Sequence, residues 1–414
     1  MNHLSDLPIE ILVKITEFLS TKDIVNLTIC SKYLHELLYV VKLNNKVDFD
    51  KISRLSYFDS FTNVVYRISE NTFPKLLQIL YWNCLDILPY PLPDSLKVLN
   101  LDYYYNQPLS QFPASLESLD LGYNYNQSIP QFPDSLTSLN LSYHYNQPLP
   151  RLPALLKSLH LGYNYNQPLL GWALNEVAGA TLRESQLPCS LESLHLSYNY
   201  NQLLPQLPIS LKNLHLGSKY NRLLPKLPDS LMSLDLGHDY NQPLPQLPLS
   251  LESLKLGYDY DHHLQLPTSL KSLDLGLYYN QSLQLPASLK SLDLGFDYNQ
   301  PLPSQLPASL KSLRLSYRYN QFLPQLPTSL KSLDLGNDYN QPLPQLPNSL
   351  QNLYLGCLYN QPLPQLPNSL QNLHLSYYYN QLLPQLPSSL RRLEANKKFQ
   401  LPALSPNISI DLFG

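Results

Sequence analysis

Cysteine is scarce in this chain: Cys30, Cys84, Cys189 and Cys357 are the only four in 414 residues, and they lie far apart. With no paired spacing, neither a disulfide framework nor a zinc site is suggested, and the thiols are expected as small buried hydrophobes. Positive charge is also short. Lys plus Arg total 28 against 31 for Asp plus Glu, a net charge of -3 and a pI of about 6.4, so nothing invites nucleic-acid phosphates or anionic membranes. No window approaches the roughly eighteen apolar residues of a membrane-spanning helix. The opening Met-Asn-His-Leu-Ser-Asp lacks a basic stretch leading into an apolar core. A soluble, cytoplasmic protein is expected, in which the glycosylation triplets at Asn26 and Asn407 are coincidental. A glycine-rich phosphate loop, a nucleophile elbow and a His/Glu metal motif are all missing, so an enzyme is disfavoured and no cofactor is called for.

The residues present in excess are leucine, 32 tyrosines and 38 prolines, against 12 glycines, and such skew points to repetition. Pro113 opens the phrase Pro-Ala-Ser-Leu-Glu-Ser-Leu-Asp-Leu-Gly-Tyr-Asn-Tyr-Asn-Gln, and a matching phrase opens at Pro133. From Pro93 to Pro387 this gives fourteen complete units and a partial fifteenth, most of them twenty residues long. Each contains Leu-x-x-Leu-x-Leu, as in Leu116, Leu119 and Leu121, the strand-forming core of a leucine-rich repeat. Alternation along a strand points the last two leucines inward and the residue between them outward.

A segment such as Pro243 to Pro248 neither continues a helix nor donates to a sheet ladder, so an extended return is expected. The predicted architecture is a small all-α module followed by a leucine-rich-repeat-like β-solenoid, with a parallel concave sheet and a proline-rich extended convex side. One coil cannot bury its own leucines, so only the stack is stable. A Tyr-Asn pair occurs in thirteen of the fourteen complete units, with Tyr260-Asp261 in the other. This reads as architecture: asparagines satisfying turn backbone at one level, and tyrosines stacking with their hydroxyls at the edge.

These units resemble the FNIP repeats of social amoebae and of the giant viruses that infect them, with tyrosine where the family name has phenylalanine. The resemblance covers residues 93–394. It is interrupted at about 171–185, where Trp172, Leu174, Val177 and Ala178 have helix-compatible spacing. That insertion is either a tolerated surface loop or a contact element. Pro74 opens a degenerate phrase, so residues 46–92 are read as linker and N-terminal capping repeat and 395–414 as a C-terminal cap.

Residues 1–45 change period. Pro8 suits the first turn of a helix carrying Ile11, Leu12, Ile15, Phe18 and Leu19; Ser20 with Asp23 signals a second helix start, and Ser31 precedes a third apolar stretch. So few helices leave apolar surface for another chain or for the solenoid edge. The stretch Leu7-Pro8-x-Glu10, Phe18-Leu19-Ser20, Asp23-Ile24 and Cys30-Ser31-Lys32 resembles an F-box. That resemblance implies docking of a Skp-type adaptor, and through it a cullin ligase, by Leu7, Pro8, Ile9, Leu12, Ile15, Leu34 and Leu37.

Target binding is expected on the outward column between the strand leucines. Its candidates are Asp120, His160, His195, His215, Asp235 and Lys255, then Asp274, Asp293, Arg314, Asp334, Tyr354 and His374. Neighbouring His160, His195 and His215 read as a polar face, with shared titration or a metal as the sharper alternative. The stretch from Asp274 to Asp334 is mostly acidic and would favour a basic partner. Two roles follow: the target-recognition subunit of a Skp-cullin-F-box ubiquitin ligase, or a binding scaffold or decoy without a ligase.

Overall fold

The computed structural model describes residues 9–16, 19–20, 22–24, 43, 46–67, 72–169, 187–400 and 408–413. The chain forms two compact units, residues 1–199 and 200–414, each built on a parallel β-sheet.

In the first unit, helix α1 (Ile9–Thr16) lies within the stretch read as the first helix, and Pro8 lies outside the described residues. The expected start after Ser20 also forms: the Asp23 backbone N–H donates to Ser20 Oγ at 3.2 Å, the Ser20 hydroxyl donates to Asp23 Oδ2 at 2.6 Å, and residues 22–24 are helical. The sheet begins ahead of the repeat phrase, at β1 (Val47–Asp48), followed by helix α2 (Phe49–Ile52), β2 (Asn63–Tyr66) and β3 (Ile79–Trp82). It continues through β4 (Val98–Leu101), β5 (Ser118–Asp120), β6 (Ser138–Asn140), β7 (Ser158–His160) and β8 (Ser193–His195). The 171–185 insertion and the third predicted helix lie outside the described residues.

The second unit runs from β9 (Asn213–His215), β10 (Ser233–Asp235) and β11 (Ser253–Lys255) to β12 (Ser272–Asp274), β13 (Ser291–Asp293) and β14 (Ser312–Arg314). It then passes through β15 (Ser332–Asp334), β16 (Asn352–Tyr354), β17 (Asn372–His374) and β18 (Arg392–Asn396) to β19 (Ser409–Phe413). Residues 392–396 and 409–413 therefore continue the parallel ladder, Leu393 opposite Ile410.

The repeat phrase dictates each coil. The Leu116 N–H donates to the Pro113 carbonyl at 3.1 Å, and the same tight turn recurs at Leu136 on Pro133 and Leu231 on Pro228. It swings the chain into a three-residue strand held in register leucine on leucine, Leu119 opposite Leu139 and Leu139 opposite Leu159. Leu116, Leu119 and Leu121 are all at most 1% exposed, so each coil gains about 1.5–3 kcal/mol of apolar burial per leucine. The proline segments carry neither helix nor strand, and they send further leucines inward, Leu204 and Leu207 among them.

Two polar ladders and an aromatic one stitch coil to coil. The serine before the first leucine donates to a carbonyl of the preceding coil: Ser115 to Leu96, Ser135 to Leu116 and Ser329 to Leu310, each at 2.6 Å. Leu155 stands where this serine would be and is exposed. The asparagine ladder forms as the sequence implied. Asn106 Oδ1 accepts the Asn126 N–H at 2.9 Å, Asn126 Oδ1 that of Asn146, and Asn320 Oδ1 that of Asn340. Because the side-chain oxygen is the part used, a carboxylate substitutes: Asp261 Oδ1 accepts the Asn280 N–H at 3.0 Å.

The tyrosine ladder corrects an expectation. Tyr105, Tyr125, Tyr145 and Tyr165 stack at 6.1–6.3 Å within the first unit, and Tyr220 through Tyr359 repeat the pattern in the second. Their hydroxyls are not at an edge, because the whole side chain is 0% exposed. Each ring fills the end of the core; Tyr105 accepts the Leu88 N–H at 3.3 Å, and the Tyr125 and Tyr145 hydroxyls donate to the Ser128 and Pro148 carbonyls at 3.2 and 3.3 Å. Burial pushes these phenols up, to about 12 at Tyr260, Tyr319 and Tyr379. The thiols also divide. Cys84 is buried, which lifts its pKa to about 12, but Cys189 is exposed because it occupies the solvent-facing position after Pro188.

Candidate protein-binding groove

The outward column takes its positions from the strand alternation. In the first unit Asp120 lies opposite Asn140, Asn140 opposite His160 and His160 opposite His195. In the second, the order from His215 through Asp235, Lys255, Asp274, Asp293, Arg314, Asp334 and Tyr354 to His374 is likewise continuous across paired strands. His160 and His195 have ring centroids 5.4 Å apart, whereas His215 Nδ1 lies 3.0 Å from Asp235 Oδ2. Among the described residues no three His, Cys, Asp or Glu side chains converge as metal ligands.

The aspartates of the column carry a second duty that sequence reasoning missed. Asp120, Asp235, Asp274, Asp293 and Asp334 each accept, through Oδ1, the N–H of the glycine two residues on, at 2.9–3.0 Å. Those glycines have φ near +70°, a left-handed turn that a side chain resists. At Gly295 an added Cβ would lie 1.6 Å from the Gly276 carbonyl oxygen. Other coils use serine instead: the Ser142, Ser316 and Ser376 hydroxyls donate to the Tyr125, Tyr298 and Tyr359 carbonyls at 2.5–2.6 Å, and Ser197 bonds Tyr165 likewise. Asp-Leu-Gly in the sequence is the signal; it pairs every column aspartate with a glycine.

Beside the column runs a rim, the residue following that glycine or serine. In the first unit every repeat coil supplies tyrosine. Tyr103, Tyr123, Tyr143, Tyr163 and Tyr198 form a face-to-face stack at 4.1–4.4 Å, partly open to solvent. Burial and hydrogen bonding to Tyr163 push Tyr143 up to about 12. In the second unit the rim varies: Tyr258, Leu277, Phe296, Tyr317 and Asn337.

That varied rim and the column enclose an open groove of about 590 Å³, with Lys255, Asp274, Asp293, Arg314 and Asp334 on its floor. Arg314 is held between two acids, 3.2 Å from Asp293 and 3.6 Å from Asp334, and Lys255 leans 3.5 Å to Asp235. Burial alone would raise the Asp235 carboxyl, but the His215 hydrogen bond, the Gly237 N–H and Lys255 outweigh it and hold it below the usual carboxylate range. Asp274 goes the other way: burial and the neighbouring Asp293 raise it against the Gly276 N–H and Lys255.

Of the adaptor-contact candidates, Ile9, Leu12 and Ile15 lie on α1; Leu12 is 1% exposed and packs inside the chain, while Ile15 is half-buried. Leu7, Pro8, Leu34 and Leu37 lie outside the described residues.

Family models for an F-box domain, over residues 4–46, and for the FNIP repeat, in eleven stretches between residues 87 and 398, match the chain. The FNIP stretches together cover more than half of it and pass over residues 125–144 and 172–180. Among solved structures it is similar to CroV588, described as a novel circular leucine-rich-repeat protein, at 31% identity over 86% of this chain with a TM-score of 0.69. The chain spans 59% of the length of that protein. It also matches YopM from Yersinia enterocolitica WA-314 at 23% identity, over 78% of this chain and 88% of that one, with a TM-score of 0.45. No curated protein matches it. With repeat coils, ladders and both family matches in agreement, the chain belongs to the FNIP repeat family as an F-box and FNIP repeat-containing protein.

Proposed function

We propose that this protein is the target-recognition subunit of a Skp-cullin-F-box ubiquitin ligase. Its N-terminal module docks a Skp-type adaptor and its solenoid grips a target protein, with the chemistry of ubiquitin transfer left to other subunits. The observation that carries the reading is the union, in one chain, of an F-box match at residues 4–46 with a solenoid whose fixed leucine core presents a side-chain-varied floor. A non-catalytic role suits that floor, where the acids are committed to turns and ion pairs. The reading places the protein in the cytoplasm and calls on neither nucleic acid nor membrane; among the described residues no helix is long and apolar enough to cross one.

The test is capture of a purified Skp-type adaptor by the intact chain. Retention is expected, and Leu7→Ala with Pro8→Ala lowers it at least about tenfold, or about 1.4 kcal/mol, without changing the far-UV circular dichroism. Leu12 is a poor probe, because it is buried and its substitution would mix a change of folding with a change of binding. No retention by the unaltered chain would leave a binding scaffold without a ligase as the function.

A further inference from the structure

The groove of the second unit has one acid without a matching cation. Arg314 is occupied by Asp293 and Asp334, and Lys255 by Asp235, so both fixed cations of the floor already face carboxylates. Asp274, between Lys255 and Asp293 in the strand register, spends one oxygen on the Gly276 N–H. No ion pair reaches it among the described residues, and it lies half-buried on the groove floor. Above it stand Tyr258, Leu277, Phe296 and Tyr317, of which Phe296 and Tyr317 stack at 4.6 Å. An acid floor under an aromatic and aliphatic rim accepts a chain whose cationic side chains reach down while its apolar atoms lie against the rim. A cation near Tyr or Phe gains from the ring faces as well as from the carboxylate.

We infer that this groove binds an extended segment of a partner protein and seats one of its lysine or arginine side chains on Asp274. The inference rests on the recognition role proposed above and gives that role a partner chemistry. Charge complementarity selects the occupant: the floor carries three carboxylates against two cations, and Asp274 is the one of the three that no ion pair reaches among the described residues. A phosphorylated or acidic segment would be repelled there, and a neutral one would leave the carboxylate unpaired under its partner.

The test uses the full-length protein and short fluorescein-labelled peptides in which proline alternates with lysine, serine or glutamate, so that all three are extended and soluble. Fluorescence anisotropy should give the lysine peptide at least about tenfold tighter binding than the serine peptide, weakening with salt. Asp274→Asn keeps the acceptor for the Gly276 N–H and so keeps the turn, but should bring the two peptides to within about threefold of each other. Asp134→Asn, an exposed acid outside the column, should leave the lysine preference unchanged. Equal binding of the peptides, preference for glutamate, absence of binding, or a lysine preference that survives Asp274→Asn each overturns the inference. Adaptor capture is read separately: loss of lysine selectivity with capture intact fails only this inference, and the reverse pattern fails only the ligase assignment.

Discussion

The two tyrosine columns sit two residues apart in the phrase Tyr-x-Tyr-Asn, yet they obey different rules. The inner column, typified by Tyr145, is spaced at 6.1–6.4 Å, fully buried, and tyrosine in every complete coil of both units. The rim column, typified by Tyr143, stacks at 4.1–4.4 Å in the first unit and dissolves into Ser218, His238, Tyr258, Leu277 and Phe296 in the second. An inner ring fills a space of fixed size in the core, where close packing punishes any change of volume. A rim ring touches only its neighbours and water, so the position is free to differ. Repetition alone therefore does not distinguish scaffold from surface; burial does.

The sharpest way to break this contrast is alkaline titration. The inner phenols are raised in the folded protein, so their contribution to stability is intact below about pH 10, the value of the unfolded chain, and is lost as pH climbs through about 12. Each tyrosine in a cooperative unfolding step should contribute about 1.4 kcal/mol per pH unit over that window, so circular dichroism should report steep unfolding above pH 10. Reversible titration of the inner tyrosines near pH 10 with the fold intact would show that the inner column is not the buried scaffold described.

A smaller effect comes from single substitutions. Tyr145→Ala should cost about 3–5 kcal/mol in denaturant unfolding, as large-to-small core changes do, while Tyr143→Ala should cost less than about 1.5. Similar losses from the two would mean that the rim stack is as structural as the core. Smallest is the asparagine ladder at the coil surface: Asn320→Ala should cost about 1 kcal/mol, by orphaning the Asn340 N–H and the Gln341 amide, and Asn320→Asp less than half of that. The same melts measure both, and an aspartate as costly as alanine would contradict the reason for Asp261.

Much of this was legible beforehand because the period is short and the signals are strong. Leucine spacing set the strand register, Tyr-Asn marked both ladders, and Ser20 with Asp23 marked a helix start. Strands Val47–Asp48 and Asn63–Tyr66 were not legible, since neither belongs to the leucine phrase. The serine ladder escaped notice, although Ser115 and its equivalents recur in every repeat unit but the one with Leu155, because a hydroxyl before an apolar residue is an ordinary sight in a turn. The column aspartates looked like free surface because their acceptor role depends on a backbone angle at Gly276 or Gly295 that the letters do not display.

That Asp-Leu-Gly pairing has a consequence for how such a surface changes over generations. Replacing Asp293 with a larger or cationic residue removes the acceptor of a turn whose glycine has φ +70°, whereas the coils that carry Lys255 or Tyr354 follow them with Gly257 or Gly356 outside that angle, so column residue and turn change together. Exchange of a whole coil, with its own glycine or serine already matched to its column residue, meets no such obstacle. The coil, rather than the residue, is then the currency in which this binding face is rewritten, and a variant differing by a coil of twenty residues should keep its fold more readily than one differing by a single column aspartate.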